Sequence, residues 1–291
     1  MMALTVTKSA KEKSRLTKEE WREYTKTVWN IANTSSKDHP AVFPLEIPHR
    51  LIKLFSFFGE TVLDPFAGTG STAIAAAKLS RKSICVDQND QYVCVMRQRC
   101  DQELDSKVRK ASVQLRTGDS RDLKFIKSDS VGLIVTSPPY WDKARYGGNG
   151  SNIGEIASYK RFLEEMRLVF AECMRVLAPG RKLCVVTANV NQHTDHGLLT
   201  FPIAADFTVA LRDLGFVMVN ELVWSKDGTG GKWGSANGQR PIFGSYPYPP
   251  NLLFKNVHEY ILIMAKPKAE RVRGPKVREY RAIMELQAPA Q

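Results

Sequence analysis

Two short segments of the 291-residue chain place ligand-binding residue types at spacings that permit chemistry. The first is Asp64-Pro65-Phe66-Ala67-Gly68-Thr69-Gly70, which follows a short apolar run and opens an alanine-rich one. Gly68 and Gly70 let the backbone turn sharply and let a ligand approach it closely, beside a helix N-terminus. Asp87 closes the next apolar run seventeen residues after Gly70, where a carboxylate can accept hydrogen bonds from a ribose diol. Together these features describe a nucleoside-cofactor site. The spacing Gly68-x-Gly70-x-x-Ala73 also satisfies the loose dinucleotide fingerprint, which keeps a nicotinamide (NAD)-dependent oxidoreductase as an alternative. Two acidic positions favour S-adenosylmethionine. Asp64 directly precedes the loop, where a carboxylate suits the ammonium of a methionine moiety and not a pyrophosphate. Asp119, in Gly118-Asp119-Ser120, is placed to receive an adenine amino group.

The second segment is Thr136-Ser137-Pro138-Pro139-Tyr140-Trp141, at the end of a fully apolar run. Consecutive prolines remove two N–H donors and stiffen the chain, so the turn offers acceptors: the Pro138 carbonyl and the Ser137 hydroxyl oxygen. An exocyclic amino group has two hydrogens and a lone pair delocalised into its ring. Accepting both hydrogens favours a more tetrahedral nitrogen whose lone pair can attack a methyl group. Tyr140 and Trp141 supply aromatic faces against which a base drawn out of a duplex can stack.

Positioning these segments requires alternating helices and strands. The pattern predicts helices over Leu45–Phe58, Gly70–Leu79, Asp90–Leu104, Tyr159–Leu177 and Pro202–Leu214. Ala178-Pro179-Gly180 is a stop signal for the fourth of these. Strands are predicted over Glu60–Asp64, Lys82–Asp87, Val113–Arg116, Val131–Thr136, Leu183–Thr187, Phe216–Trp224 and Glu259–Ala265. Seven strands in this rhythm predict an α/β fold with a doubly wound, mostly parallel, Rossmann-like sheet. Ligands of such sheets bind outside the carboxyl ends of the strands, where both segments fall.

Charge is unevenly spread. The chain has 42 Lys plus Arg against 30 Asp plus Glu, net +12, and two terminal runs hold much of the excess. Lys8–Lys26 carries net +3 and Lys266–Arg281 net +5. Such ends suit a polyanion, with salt-dependent affinity. No apolar run approaches the roughly 18–20 residues of a membrane span, and the N-terminus has no apolar stretch of signal-peptide length, which predicts a cytoplasmic protein. The five cysteines form no C-x-x-C pair and are expected to be free thiols, and no metal site is predicted. His193, Asp195 and His196 lack further metal-ligand types nearby and are read as an exposed loop. Gly228–Gly238 holds five glycines in eleven residues and forbids a regular element. Lys226, Lys232, Trp233, Asn237, Gln239 and Arg240, in and beside it, can read base edges or phosphates.

With those residues in view, the chain resembles the amino-group DNA methyltransferases, which modify cytosine N4 or adenine N6 using S-adenosylmethionine. DPFAGTG at 64–70 is similar to their cofactor loop and SPPY at 137–140 to their catalytic tetrapeptide. His39–Pro48 resembles the element that helps hold the methionine end, and HEYILIMAK at 258–266 their last strand. The motif wording is that of the β group, yet here the tetrapeptide follows the cofactor loop, so the order is permuted. The resemblance implies catalytic Ser137, Pro138, Pro139 and Tyr140. It implies a cofactor site of Phe43, Pro44, Asp64, Phe66, Ala67, Gly68, Thr69, Gly70, Asp87, Gln88, Asp119 and Ser120. Double-stranded DNA is the implied partner, with Trp141, Lys143 and Arg145 joining the residues of the 226–256 loop in contacting it. Serine at position 137 leans to cytosine N4, with adenine N6 as the alternative. A cytosine-C5 reaction is disfavoured, because it needs a nucleophilic thiol, usually after proline, and no Cys here follows Pro. The expected organisation is a basic arm over 1–37, a catalytic domain over 38–267 with a target-recognition loop at 226–256, and a basic tail over 268–291. A monomer or homodimer is expected, with a restriction endonuclease as a functional partner.

Overall fold

The computed structural model describes residues 6–32, 44–141, 152–226, 248, 254 and 256–268. In chain order these form α1 (Lys8–Lys13), α2 (Lys18–Tyr24), β1 (Val28–Asn30), α3 (Glu46–Phe55), β2 (Thr61–Asp64), α4 (Ser71–Lys78), β3 (Lys82–Asp87) and α5 (Asp90–Glu103). Then come α6 (Ser106–Ser112), β4 (Val113–Thr117), β5 (Val131–Thr136), a 3-10 turn (Ile153–Glu155), α7 (Tyr159–Val176), β6 (Leu177–Thr187), β7 (Val190–Thr194), β8 (Gly197–Phe201), α8 (Ile203–Asp213), β9 (Val217–Ser225) and β10 (His258–Ala265). Among them, no helix is long and apolar enough to cross a membrane.

All seven expected strands lie in one sheet of order β1-β9-β10-β6-β5-β2-β3-β4. Its pairs are parallel except where β10 runs against β6 and β9. The period-2 alternation of side chains divides each central strand between two cores. Leu63, Ile134, Leu183, Val185, Leu262 and Met264 pack on one face with α7 and α8. Val62, Leu133, Val135, Cys184, Val186, Ile261 and Ile263 pack on the other, with α3 and α4. Every residue of β5 is buried, as its unbroken apolar run requires of a strand covered on both faces. The chain winds outward through β2, β3 and β4, then returns to β5 beside β2, with Leu63 opposite Ile134. The winding reverses there, and both chemical segments leave the sheet at this point.

Three features depart from the sequence reading. An eighth strand, β1, lies inside the expected basic arm and pairs in parallel with β9. Trp29 on β1 is 1% exposed, and Arg50 of α3 lies over the rings of Tyr24 and Trp29 at 4.9 and 5.3 Å. A capping box between Thr17 and Glu20 starts α2, and Glu20 pairs with Lys53 of α3. Residues 6–32 are therefore a folded layer on α3. Moreover, Phe58, just ahead of β2, donates its N–H to Ser14 Oγ at 2.7 Å and lies under Lys13. That contact places α1 at the amino ends of the strands, opposite the end that carries the chemistry.

The second departure is at the Ala-Pro-Gly stop. Helix α7 ends at Val176, and residues 177–180 already belong to β6. Leu177 pairs with Val131, the register then shifts, and Gly180 takes up the excess at φ +81°. The third is the His193–His196 run, which is the tip of an antiparallel β7–β8 ribbon and not a simple loop.

Candidate active site

The two glycine positions do different work in the 64–70 loop. At Gly68 (φ +49°) the backbone N–H is turned toward β3 and donates to Asp87 Oδ2 at 2.8 Å. Gly70 (φ +88°) packs so closely on α5 that a Cβ would sit 2.5 Å from Met96 Cγ. Ala67 N–H reaches Val86 O at 2.9 Å, and Arg99 holds Thr69 by its carbonyl at 2.9 Å. Ser120 Oγ donates to Pro65 O, tying the loop after β4 to the loop after β2. The outcome is a rigid rim built from three strand ends.

That rim and the turn after β5 border one cleft, open to solvent. Phe66, Ala67, Gly68, Thr69, Asp87, Gln88, Asp119 and Ser120 border it on one side. Ser137, Pro138, Pro139 and Tyr140 border it on the other. Asp87 spends one lone pair per oxygen, accepting from Gly68 N–H and Asn89 N–H at 2.8 and 2.9 Å. Burial raises its pKa and these two hydrogen bonds oppose the rise. At Asp119, burial acts upward, but the Arg121 guanidinium grips both carboxylate oxygens and leaves the pKa lowered. Arg121 is in turn paired with Glu165.

Several expected site residues lie elsewhere. Asp64 does not line the cleft. It is fully buried beneath the loop, where Oδ1 accepts from Phe66 N–H at 3.1 Å and Oδ2 from Thr72 Oγ1 at 2.6 Å. Burial pushes its pKa up to about 6 against those hydrogen bonds. Its observed role is to brace the turn, not to present a carboxylate to an ammonium. Gly70 and Pro44 are likewise not among the residues that line it. Trp141 is 8% exposed, with Tyr159 and Phe201 at ring distances of 4.9 and 4.5 Å and its Nε1–H donated to Ile156 O at 2.8 Å. The ring is consumed by packing, so it is not the open stacking face the sequence suggested. Lys226 is 7% exposed and ion-paired to Glu259, so it is not a free phosphate contact. Phe43, Lys143, Arg145, Lys232, Trp233, Asn237, Gln239 and Arg240 lie outside the described residues.

The cleft also contains residues that sequence reasoning missed. Asn89 and Tyr92 enter from the start of α5, and Asn152 and Ile153 from the 3-10 turn. Asn89 announces itself only as a helix cap, accepting from Gln91 N–H at 2.9 Å. Glu259 touches the site through Tyr140, whose hydroxyl donates to its Oε2 at 2.6 Å. The available signal was a single carboxylate in the mostly apolar strand His258–Ala265.

The donor and acceptor set fits S-adenosylmethionine. Asp87 keeps acceptor capacity at the end of the second winding strand, where a ribose diol is bound in open α/β sheets. The backbone at Gly68 and the start of α4 at Ser71 both line the cleft.

Comparison with known proteins agrees. The DNA methylase family model matches residues 2–98 and 131–290, and the RMKL-like methyltransferase domain matches 57–195. The Type II methyltransferase M.BglI of Bacillus subtilis is 33% identical over 126 residues, 43% of this chain and 36% of that protein. M.MthZI of Methanothermobacter thermautotrophicus, also a Type II methyltransferase, is 30% identical over 176 residues, 56% of this chain and 47% of that protein. The chain thus spans between about a third and a half of the length of these curated relatives. The solved structure of a DNA modification methylase from Thermus thermophilus, complexed with S-adenosyl-L-methionine, is 34% identical over 54% of this chain and 56% of that one, with a TM-score of 0.39. The family match decides against the nicotinamide alternative and agrees with S-adenosylmethionine as the cofactor. With both motifs brought together where the winding reverses at β2 and β5, and a family match across most of its length, the chain belongs to the DNA methylase family.

Proposed function

We propose that the protein methylates the exocyclic N4 amino group of a cytosine extruded from duplex DNA. The observation that carries this reading is the placement of Ser137, Pro138, Pro139 and Tyr140 on the same cleft as the Gly68 turn and Asp87. An amino group entering that cleft meets acceptors on one side and the cofactor on the other. S-adenosylmethionine supplies an electrophilic methyl group when bound.

Ser137 Oγ and the Pro138 carbonyl accept the two amino hydrogens and draw the nitrogen toward a tetrahedral shape, which localises its lone pair. Tyr140 gives the extruded ring a face to stack on. Asp87 accepts from the ribose diol and Asp119 from the adenine amino group. The rigid rim holds these groups in place before the base arrives, so positioning supplies much of the rate. The surplus proton of the alkylated nitrogen leaves to solvent. Target recognition is assigned to 226–256 and to Lys143 and Arg145, with Lys226 now an anchor of that segment instead of a contact. The Type II relatives support a restriction–modification setting. We add an endonuclease reading the same site as the proposed functional partner.

The test is nucleoside mass spectrometry of unmethylated DNA after incubation with protein and isotope-labelled S-adenosylmethionine. N4-methyldeoxycytidine is the expected product. N6-methyldeoxyadenosine would keep the cleft chemistry and overturn the reading of Ser137. No modified nucleoside from a protein that binds the cofactor would overturn DNA as the substrate.

A further inference from the structure

The Tyr140 hydroxyl is held from the last strand, and that hold is backed by the end of β9. It donates to Glu259 Oε2 at 2.6 Å across 119 positions of sequence. Glu259 Oε1 accepts from Lys226 Nζ, and both side chains are 9% exposed. Each member of the pair has a fixed seat. Glu259 is the second residue of β10 and sits opposite Trp224 of β9. Lys226 follows β9 directly, donates its N–H to Val257 O at 2.8 Å, and has its Nζ 4.5 Å from the centre of the Trp224 ring. The Trp224 Nε1–H is donated in turn to Ile31 O at 2.8 Å.

Stability alone gives little reason for this arrangement. Two charges taken out of water are costly, and apolar residues of similar volume generally hold a fold as well or better. What an apolar pair cannot do is accept a hydrogen bond from a phenol. A tyrosine ring turns about two side-chain torsions. A tether on the phenol oxygen, which lies on the ring axis, fixes the first, and because the phenol O–H keeps to the ring plane, the direction of its acceptor biases the second. We propose that Glu259, held by Lys226, is a positioning residue that sets the plane of the Tyr140 ring before DNA arrives. The base then stacks on a face whose ordering has already been accomplished. The proposal rests on the reading of Tyr140 as the stacking residue. It also ties the stem of the 226–256 segment to the catalytic turn, because Lys226 and Val257 form that stem.

The experiment compares Tyr140→Phe, Tyr140→Ala, the double variant Lys226→Met with Glu259→Met, and the triple variant adding Tyr140→Phe. Each is assayed for kcat and KM on unmethylated phage genomic DNA with tritiated S-adenosylmethionine, for cofactor Kd and for melting temperature. Tyr140→Phe and the Met pair are each expected to lower kcat/KM for DNA roughly tenfold, the scale of one lost hydrogen bond. Cofactor Kd should be unchanged, and the Met pair should melt no lower than the parent. The triple variant should be no worse than either parent variant, because both remove one tether. Additive losses, or a silent Tyr140→Phe, overturn the proposal. Tyr140→Phe alters only the hydroxyl, so it decides the matter if the Met pair fails to fold. A costly Tyr140→Ala beside a silent Tyr140→Phe removes the tether and keeps the stacking. A silent Tyr140→Ala removes both.

Discussion

Asp64 allows two roles to be separated by pH. As a brace it is fully buried, with Thr72 and the Phe66 N–H on its two oxygens and a pKa of about 6 against an ordinary 3.8. The folded state therefore binds the proton more tightly than the unfolded chain does. Stability from this group is greatest below 3.8 and falls as pH rises through the window up to about 6. The displacement amounts to about 3 kcal/mol in total, of which about 2 kcal/mol is lost between about pH 4.5 and 7.5.

Asp64→Asn isolates that contribution. The amide keeps both contacts by turning its carbonyl to the Phe66 N–H and its NH2 to the Thr72 oxygen, and it does not titrate. Urea unfolding of both proteins across the pH range gives the difference directly. The parent is expected to lose about 2 kcal/mol relative to the variant on going from about pH 4.5 to 7.5. Parallel stability curves would refute the buried, proton-holding brace. Repeating the series in saturating S-adenosylmethionine sharpens the choice. A brace keeps the pH-dependent difference. A carboxylate that pairs with the methionine ammonium is held ionised, and the difference would vanish.

Gly70→Ala should destabilise by about 2–5 kcal/mol, combining a left-handed backbone with a Cβ driven into Met96, and adding Met96→Ala should recover part of it in the same unfolding assay. Trp141→Ala should cost about 3–5 kcal/mol of stability by emptying the space among Tyr159, Phe201 and Ile156. An unchanged unfolding midpoint with weakened DNA binding would return Trp141 to the role of a stacking face. Ser137→Ala should lower kcat by roughly 10²–10³ while cofactor Kd stays put. Asp87→Ala should instead weaken cofactor binding by roughly tenfold to a hundredfold, read by calorimetry. Equal effects of these last two on cofactor affinity would break the division of labour across the cleft.

The parts of this fold legible in the sequence are those in which local pattern and tertiary context agree. Val131–Thr136 is almost wholly apolar because both its faces are covered, Gly68 and Gly70 are glycines because both take positive φ, and at Gly70 a Cβ would also meet Met96. Both causes act within a few residues, so a window of sequence contains them. Strand β1 has three residues in a run of mixed charge, too short for any period to register, and only Trp29 hints that something there is buried. Which way Trp141 faces is set by Tyr159 and Phe201, and no rule about the residue after Pro-Pro foretells it.

Charge was the least legible property, for a physical reason. A lysine reads as solvated until a carboxylate remote in sequence claims it. Lys53 is claimed by Glu20, Lys226 by Glu259 and Lys266 by Asp129, so part of the cationic excess is internal structure. The basic layer at α1 faces the wrong end of the sheet to hold a duplex over the cleft. A net charge of +12 thus favours a polyanion as partner without saying which surface meets it. On the proposed reading the cleft determines that surface, since Ser137 lines it where the strands β2, β3 and β5 end. Phosphate contacts must therefore come from groups around that end. Salt dependence of DNA binding should respond to neutralising substitutions at Lys143 and Arg145, and remain unmoved by the same substitutions at Lys8 and Lys11 of α1.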